Sequence, residues 1–522
     1  PTMKKIALLI LCCLHVCAND LTWGAPTTLS SLGVDASEPT VSVDESGNVV
    51  AVWIENGIVM ANTQPFGGSW SMSATTVSSM GASSVQLVAD SAGNATAIWN
   101  QSGVIQTSTL PFGGMWSTPV DLSSTGSSSP QISVDNLGNL AAIWVCDDVI
   151  QAATQEFGMS WSSSTDLSFS SPPSDSPQIA IGNNQTIVAV WHSTSIGIDA
   201  IFATSTTLGT DWPGGSSVIS DTETPKPSVF PKVAVNSQGV PVAGWYTYKL
   251  SGPNYTDVHV QIAFGNLDTT WNLPVELSMP GIRNPNQLVL DLAYNSSDVA
   301  FAIWTNSYDP SNFVLEGSFF GGEAWAPIIN FSLGDIYLLN QKALISPTDY
   351  AYGAFMSYDS MSTLPIIKAF KANTNNTEVN YGNILAVSTG PSAYPRIDGT
   401  LLASGHAVAA VWQNYDGSNL IVEASIAQGV ALPTPTSLTI TQNVNDFGVF
   451  SEYYNTFSWT SSTPDSSSRW VIFRNGVFLL HLPVSTTTFI DHNVIQSAPV
   501  TYSVALQSED GDMSPIATAS YP

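Results

Sequence analysis

Three Tyr-Asp pairs stand out among the residues whose types could do chemistry: Tyr308-Asp309, Tyr358-Asp359 and Tyr415-Asp416. They sit in the segments TNSYDPSN, MSYDSMSTL and QNYDGSN, and an earlier segment, YTYKLSGPNYTD, adds Tyr246 and Tyr248. A tyrosine offers a flat apolar plate tipped with a hydroxyl. An aspartate accepts hydrogen bonds from sugar hydroxyls or from peptide. These eight residues form the candidate ligand-binding set. A structural role competes with it, because Asp also starts turns, as in YDPSN and YDGSN, and Tyr also packs on its own loop.

Other chemistry is sparse. Beyond the N-terminal segment there are five histidines, His192, His259, His406, His481 and His492, and none pair at metal-ligand spacing. They read as satisfied structural or exposed side chains. Cys146 has no neighbouring His motif and reads as inert. The recurrent Asp-x-x-Gly-Asn element lacks the alternating acidic ladder of a calcium loop, so turn chemistry accounts for it. No catalytic residue, metal or cofactor is assigned. Paired carboxylates for a glycosidase would have to converge in space from separate parts of the chain.

Composition narrows the class. Only 10% of the 522 residues are charged, and there are 16 Trp. The net charge of −28, with 12 Lys plus Arg, opposes contact with phosphate backbones and anionic lipid, so nucleic acid is a poor partner. Lys4 and Lys5 precede the short apolar stretch IALLILCCLHVC, and Val16 and Ala18 occupy the small-residue positions of a signal-peptidase site. A signal peptide over 1–18 is expected, with acylation at Cys17 as the alternative. Cleavage would leave Cys146 as the one cysteine and allow no internal disulfide. No later segment has the apolar length of a membrane span. The expectation is a monomer that is secreted, extracellular or on the cell surface, in a bacterial envelope.

The elements that must position these residues are internal repeats. VDESGNVVAVW ends at Trp53, VADSAGNATAIW at Trp99 and VDNLGNLAAIW at Trp144, and weaker copies end at Trp191, Trp245, Trp304, Phe355 and Trp412. The anchors are 45 to 59 residues apart. Each copy reads as strand, tight turn, strand, with Asp bonding the turn backbone and Gly accepting positive φ. A second Trp follows in most units, and from it to the next anchor is 28 to 33 residues. From Trp23 to Trp53 is 30, so LTWGAPTTLSS at 21 to 31 is a fourth strand whose other three strands lie in the last unit. The expected fold is all-β: a β-propeller over 19–430 closed by this N-terminal strand. Eight anchors indicate eight blades, with seven as the alternative because the seventh copy is degenerate. The anchor tryptophans read as inter-blade packing.

The repeats resemble the secreted bacterial propellers of the sialidase-like or BNR-repeat type, over roughly residues 21 to 430. The Asp-box spacing of that family is not reproduced. The resemblance would require three arginines around the substrate carboxylate, and the propeller holds only Arg283 and Arg396, which counts against sialidase chemistry. After a Pro-rich linker at 431–437, residues 438–522 resemble a fibronectin type III domain: Trp459 in an early strand, the hairpin RWVIFRNG, and Tyr502 at the position of the family's tyrosine corner. That resemblance implies a β-sandwich used for spacing or adhesion.

Two function classes follow. The favoured expectation is an exported or surface-displayed binding or adhesion protein that recognises glycan or protein through one propeller face. The alternative is a carbohydrate-active enzyme, a glycoside hydrolase or lyase, using carboxylates on that face. The residues favour the binder over the enzyme, and the fold itself does not choose.

Overall fold

The computed structural model describes residues 22–221, 226–251, 254–266, 270–282, 288–295, 298–308, 313–322, 324–331, 338–345, 350–358, 365–373, 379–387, 393–402, 405–428, 435–449, 451–461, 468–475, 477–492, 494–507, 514 and 517–521. Every regular element among them is a strand. The expected signal peptide and Arg283 lie outside the described residues, as does most of the expected linker, within which the strand Thr436–Asp446 begins.

Eight antiparallel sheets follow one another along the chain. Their innermost strands are Ala36–Val43, Ala82–Ala89, Ser127–Val134, Ser174–Ile181, Ser228–Val235, Leu290–Tyr294, Leu338–Ile345 and Ala393–Leu402. Each packs against the next, and the last packs against the first, so the ring is an eight-bladed propeller. The eight sheets decide between eight and seven blades. The blade anchored by Phe355 is complete, with four strands from Leu338 to Val387.

Blade 1 shows why the sequence folds this way. Its second strand, Val49–Glu55, is buried along its whole length because neighbouring blades cover both sheet faces. A strand covered on both faces needs no polar alternation, hence VVAVWIE. The seven anchor tryptophans are at most 1% exposed, and Phe355 substitutes for one at 3%. Their indole N–H groups are used inside the blade: Trp53 donates to Glu55, Trp99 to Gln101, Trp144 to Gln151 and Trp304 to Glu316. They are packing residues with no free edge for a ligand.

The Asp-x-x-Gly-Asn turn is held by bonds within its own blade and fits closely against the preceding one. Asp90 Oδ1 accepts from the amides of Ala92 and Asn94, and Oδ2 accepts from Asn94 Nδ2. Asn94 Oδ1 accepts from the Phe112 amide across the blade. Asp44 and Asp135 repeat this pattern. Gly93 must be glycine on two counts. Its φ is +85°, and a Cβ there would lie 2.6 Å from Asp44 Oδ2 of the preceding blade and 2.8 Å from the Phe112 ring.

The N-terminal strand closes the last blade, as expected from the Trp23–Trp53 interval. Thr27 and Thr28 pair with Ala424 and Glu423 of the last blade. The Gly24 amide donates to Ile426 O, Leu29 N to Val422 O, and Val422 N to Ser30 Oγ. Asp398 Oδ2 accepts from Ser42 Oγ and the Val43 amide, tying the last innermost strand to the first.

The C-terminal unit is separate. Its strands form a three-stranded sheet (Thr436–Asp446, Ser451–Thr460, Thr488–Asp491) and a four-stranded sheet (Val477–Pro483, Arg469–Arg474, Val500–Gln507, Ala517–Tyr521). Side chains of both, including Phe457, Trp459, Trp470 and Tyr502, share one core. Tyr502 donates to the Asp491 carboxylate, which also meets Arg474 at 2.9 Å. Among the described residues no helix is long and apolar enough to cross a membrane.

Candidate active site

One position explains where the site arises. In three blades the residue after the anchor bonds across the blade boundary. Asn100 Nδ2 donates to Ser127 O of the next blade at 2.6 Å. Gln413 Nε2 donates to Ala36 O across the closure at 3.2 Å. The Tyr246 hydroxyl lies 2.9 Å from Val289 O and 2.7 Å from Thr305 O, both in blade 6. These side chains staple blade 2 to 3, blade 8 to 1 and blade 5 to 6. In blade 4 the position belongs to His192, which makes contacts of another kind.

Both nitrogens of His192 meet carboxylates. Nδ1 is 3.0 Å from Asp175 Oδ1, and Nε2 is 3.0 Å from Asp199 Oδ1. Asp175 is brought over the ring by a bulge in the innermost strand of blade 4, where Ser176 takes φ +52° and the register slips between Asp175 and Gln178. Asp199 immediately precedes the strand Ala200–Thr207. The second oxygen of Asp199 accepts from the Tyr248 hydroxyl of blade 5 at 3.1 Å, and Tyr255 packs edge-on against Tyr248 with ring centres 5.2 Å apart. Two blades therefore contribute to one constellation, at the end of the sheets where the second and third strands turn.

The groups of this constellation shift one another's protonation. Burial alone would lower the pKa of His192, but the hydrogen bonds and charges of Asp175 and Asp199 outweigh burial and hold it above its ordinary value. Burial opposes ionisation of Asp175 too, and the contact with His192 overcomes it, holding the carboxyl below the usual range. Burial and then the Asp199 charge push the Tyr248 phenol up to about 12, so it stays a donor. The imidazole is largely enclosed, with 13% of its side chain exposed, whereas 64% of the Asp175 side chain is open to solvent.

A second polar cluster in blade 5 neutralises itself. Asp257 meets Lys249 at 2.6 Å, His259 at 2.7 Å and Lys226 at 3.4 Å, and Lys226 also meets Glu276 at 2.7 Å. Hydrogen bonds from Lys249 and then His259 hold the Asp257 carboxyl far below the usual range. Its charges are committed to one another.

The residues expected from sequence divide. Tyr246 is 1% exposed, its hydroxyl is satisfied by two carbonyls, and burial pushes its phenol far above the usual range, so it is a packing residue and leaves the ligand-binding set. Tyr248 joins the His192 constellation. Tyr308 is 43% exposed, and its hydroxyl meets the buried Glu316 at 2.6 and 2.8 Å, beside the indole of Trp304. Tyr415 is half-buried; Asp416 is exposed and accepts from the amides of Ser418 and Asn419, the turn-starting role. The backbone of Tyr358 ends the strand Tyr350–Tyr358. Asp309 and Asp359 lie outside the described residues. Tyr246 is therefore not part of an exposed patch, and whether Tyr308, Tyr358 and Tyr415 share one turns on side chains outside the described residues. His192, Asp175 and Asp199 were missed, although His192 directly follows the anchor Trp191, where the other copies carry Ile54, Asn100, Val145, Tyr246, Thr305, Met356 and Gln413.

No protein-family model matches the chain, and no curated protein matches its sequence. Among solved structures it is similar to an ulvan lyase from a new family of polysaccharide lyases, at 6% identity over 77% of this chain and 95% of that one, with a TM-score of 0.44. It is also similar to a Penicillium chrysogenum α-L-arabinanase, at 12% identity over 58% and 93%, with a TM-score of 0.34. A Fusarium graminearum α-L-arabinofuranosidase matches at 8% identity over 67% and 93%, with a TM-score of 0.37. These neighbours are carbohydrate-active enzymes, and they correct the sequence-based preference for a binding or adhesion protein over an enzyme. At these identities and scores the likeness carries no residue roles into this chain.

Proposed function

We propose that this chain is an exported carbohydrate-active enzyme that cleaves a glycosidic bond by proton transfer at Asp175, positioned by His192, Asp199 and Tyr248. One observation carries the reading: in blade 4 the inter-blade staple position holds a histidine bridging two carboxylates, one shared with a tyrosine of the next blade. The carboxylates accept hydroxyls and the Tyr248–Tyr255 pair offers aromatic edges, a combination suited to sugar rings.

Glycosidic cleavage needs a proton delivered to the leaving oxygen and a base acting on the other partner. Asp175, the exposed carboxylate, is the group that reaches substrate: it takes the proton from water in hydrolysis or from carbon in elimination and gives it to the leaving oxygen. His192, whose two nitrogens both face carboxylates, is the positioning residue that holds Asp175 through Nδ1 and favours its charged form. Asp199 orients the imidazole through Nε2, and the protonated Tyr248 fixes Asp199 from the far side. The basic and apolar N-terminal segment supports export, and the C-terminal sheets, with the Trp459 and Tyr502 pattern of a fibronectin type III domain, would serve as a spacer.

The test is incubation of the purified chain with a panel of neutral and uronate-containing polysaccharides, following reducing ends together with ultraviolet absorbance of unsaturated uronate. New reducing ends alone identify a hydrolase, and both signals together a lyase. His192→Ala should abolish either. Cleavage by His192→Ala at the parent rate, or no cleavage of any polysaccharide, refutes the proposal.

A further inference from the structure

The far end of blades 1 and 2, where the Asp-x-x-Gly-Asn turns lie, holds a cavity of about 520 Å³. That is within the range of small-molecule sites, about 300 to 1,000 Å³. Its two walls differ in kind. Blade 2 supplies Phe112, Met115 and Trp116; blade 1 supplies amide and hydroxyl groups, among them Asn62, Ser73 and Thr75. Asp44 is the one charged residue in the lining, and its carboxylate already accepts three hydrogen bonds from its own turn. The corresponding cleft between blades 4 and 5, walled by Trp271 and Pro241, holds only about 110 Å³. The repeat therefore does not impose this volume.

We infer that the cleft between blades 1 and 2 is a second sugar-binding site, selective for uncharged oligosaccharides and separate from the His192 constellation. A sugar ring has apolar C–H faces and a polar hydroxyl rim. The aromatic wall matches the faces and the amide and hydroxyl wall matches the rim, with no free charge to favour an acidic sugar. The wall is also built to stay in place. Phe112 is 64% exposed, yet its amide is held by Asn94 Oδ1 and its ring rests on Gly93. Trp116 is partly buried against the core that holds Trp99, which gives the site a firm floor. The site lies at the opposite end of the sheets from His192, so it would hold a polymer without acting on it. It goes beyond the proposed catalytic reading and does not depend on it.

The experiment is isothermal titration calorimetry on the full chain carrying His192→Ala, with uncharged pentose and hexose oligosaccharides as one ligand set and uronate oligosaccharides as the other. The inference expects uncharged oligosaccharides to bind and uronates to bind at least tenfold more weakly. Adding Phe112→Ala and Met115→Ala, both at exposed positions, should weaken uncharged-sugar binding at least tenfold with the circular dichroism spectrum unchanged. Absence of binding, a preference for uronates, or an unchanged Kd in the double variant overturns it. So does self-association that the same double variant abolishes, because that result assigns the cleft to a second copy. Binding as expected, together with no detectable cleavage by the parent chain, refutes the catalytic proposal alone.

Discussion

Tyr246 and Tyr248 lie two residues apart on one strand, and the structure gives them opposite roles. The Tyr246 hydroxyl is fully buried against Val289 O and Thr305 O. Replacing it with Phe leaves two buried carbonyls without that donor, which costs about 1 to 3 kcal/mol. Replacing it with Ala also opens a cavity, and loss of a large aromatic costs about 3 to 5 kcal/mol. Tyr248 is half-buried and its hydroxyl reaches a carboxylate that is still partly open to water, so Tyr248→Phe should change stability by less than about 1 kcal/mol. Urea denaturation at pH 7 followed by tryptophan fluorescence measures both, and the same preparations are assayed for glycan cleavage. Tyr246→Phe should lose stability and keep its specific activity at temperatures where it is folded, whereas Tyr248→Phe should keep stability and lose most activity. The reverse pattern, with Tyr246→Phe fully stable and inactive, would refute the division into staple and site.

The remaining expectations are briefer. His192 is raised in the folded chain, so its contribution to stability is complete below its ordinary value of 6.5 and is lost as pH rises through the raised value; His192→Gln should flatten that decline in a urea series run from pH 6 upward. Asp175 is lowered, so its contribution is present above 3.8 and lost as pH falls through the lowered value, and Asp175→Asn should flatten the acid limb. Gly93→Ala should cost more than Gly113→Ala by thermal melting, since both take positive φ at about 1 to 2 kcal/mol while only Gly93 has Asp44 and Phe112 in the way. Removing residues 23–31 strips the outer edge of the last blade and buried Leu29, so the variant should be cut by protease under conditions that leave the parent intact; equal resistance would refute closure by this strand.

The propeller was legible because its cause is local and repeated. Asp90, Gly93 and Asn94 make the turn that the Asp44 and Asp135 copies repeat, and a buried aromatic anchor follows each copy at nearly constant distance, so spacing reports architecture directly. Even the missing fourth strand was legible, because Trp23 stands at the interval that other second tryptophans keep. The site was not legible for the same reason. Repetition draws attention to recurring pairs such as Tyr-Asp, and Asp416 in one of them caps its turn. The histidine site uses a position of ordinary length where only the side chain departs from the pattern. Its partners Asp175 and Asp199 come from a bulge and from a strand edge, and Tyr248 from another blade, so no spacing in the sequence links them. Tyr246 shows the converse. It occupies the same staple position as His192 in its own blade, and whether that position faces a carbonyl or a carboxylate is set by the neighbouring strands.

The most direct test of the account is cleavage of the polysaccharide panel by the parent chain and by His192→Ala, measured side by side at pH 6 to 8 with both proteins shown folded by circular dichroism. General acid–base catalysis contributes about 10² to 10⁴-fold and here depends on His192 holding Asp175, so the variant should fall by at least the lower figure on any polysaccharide the parent cleaves. A parent that cleaves and a His192→Ala chain that cleaves equally fast would place the chemistry elsewhere on the propeller and contradict the account.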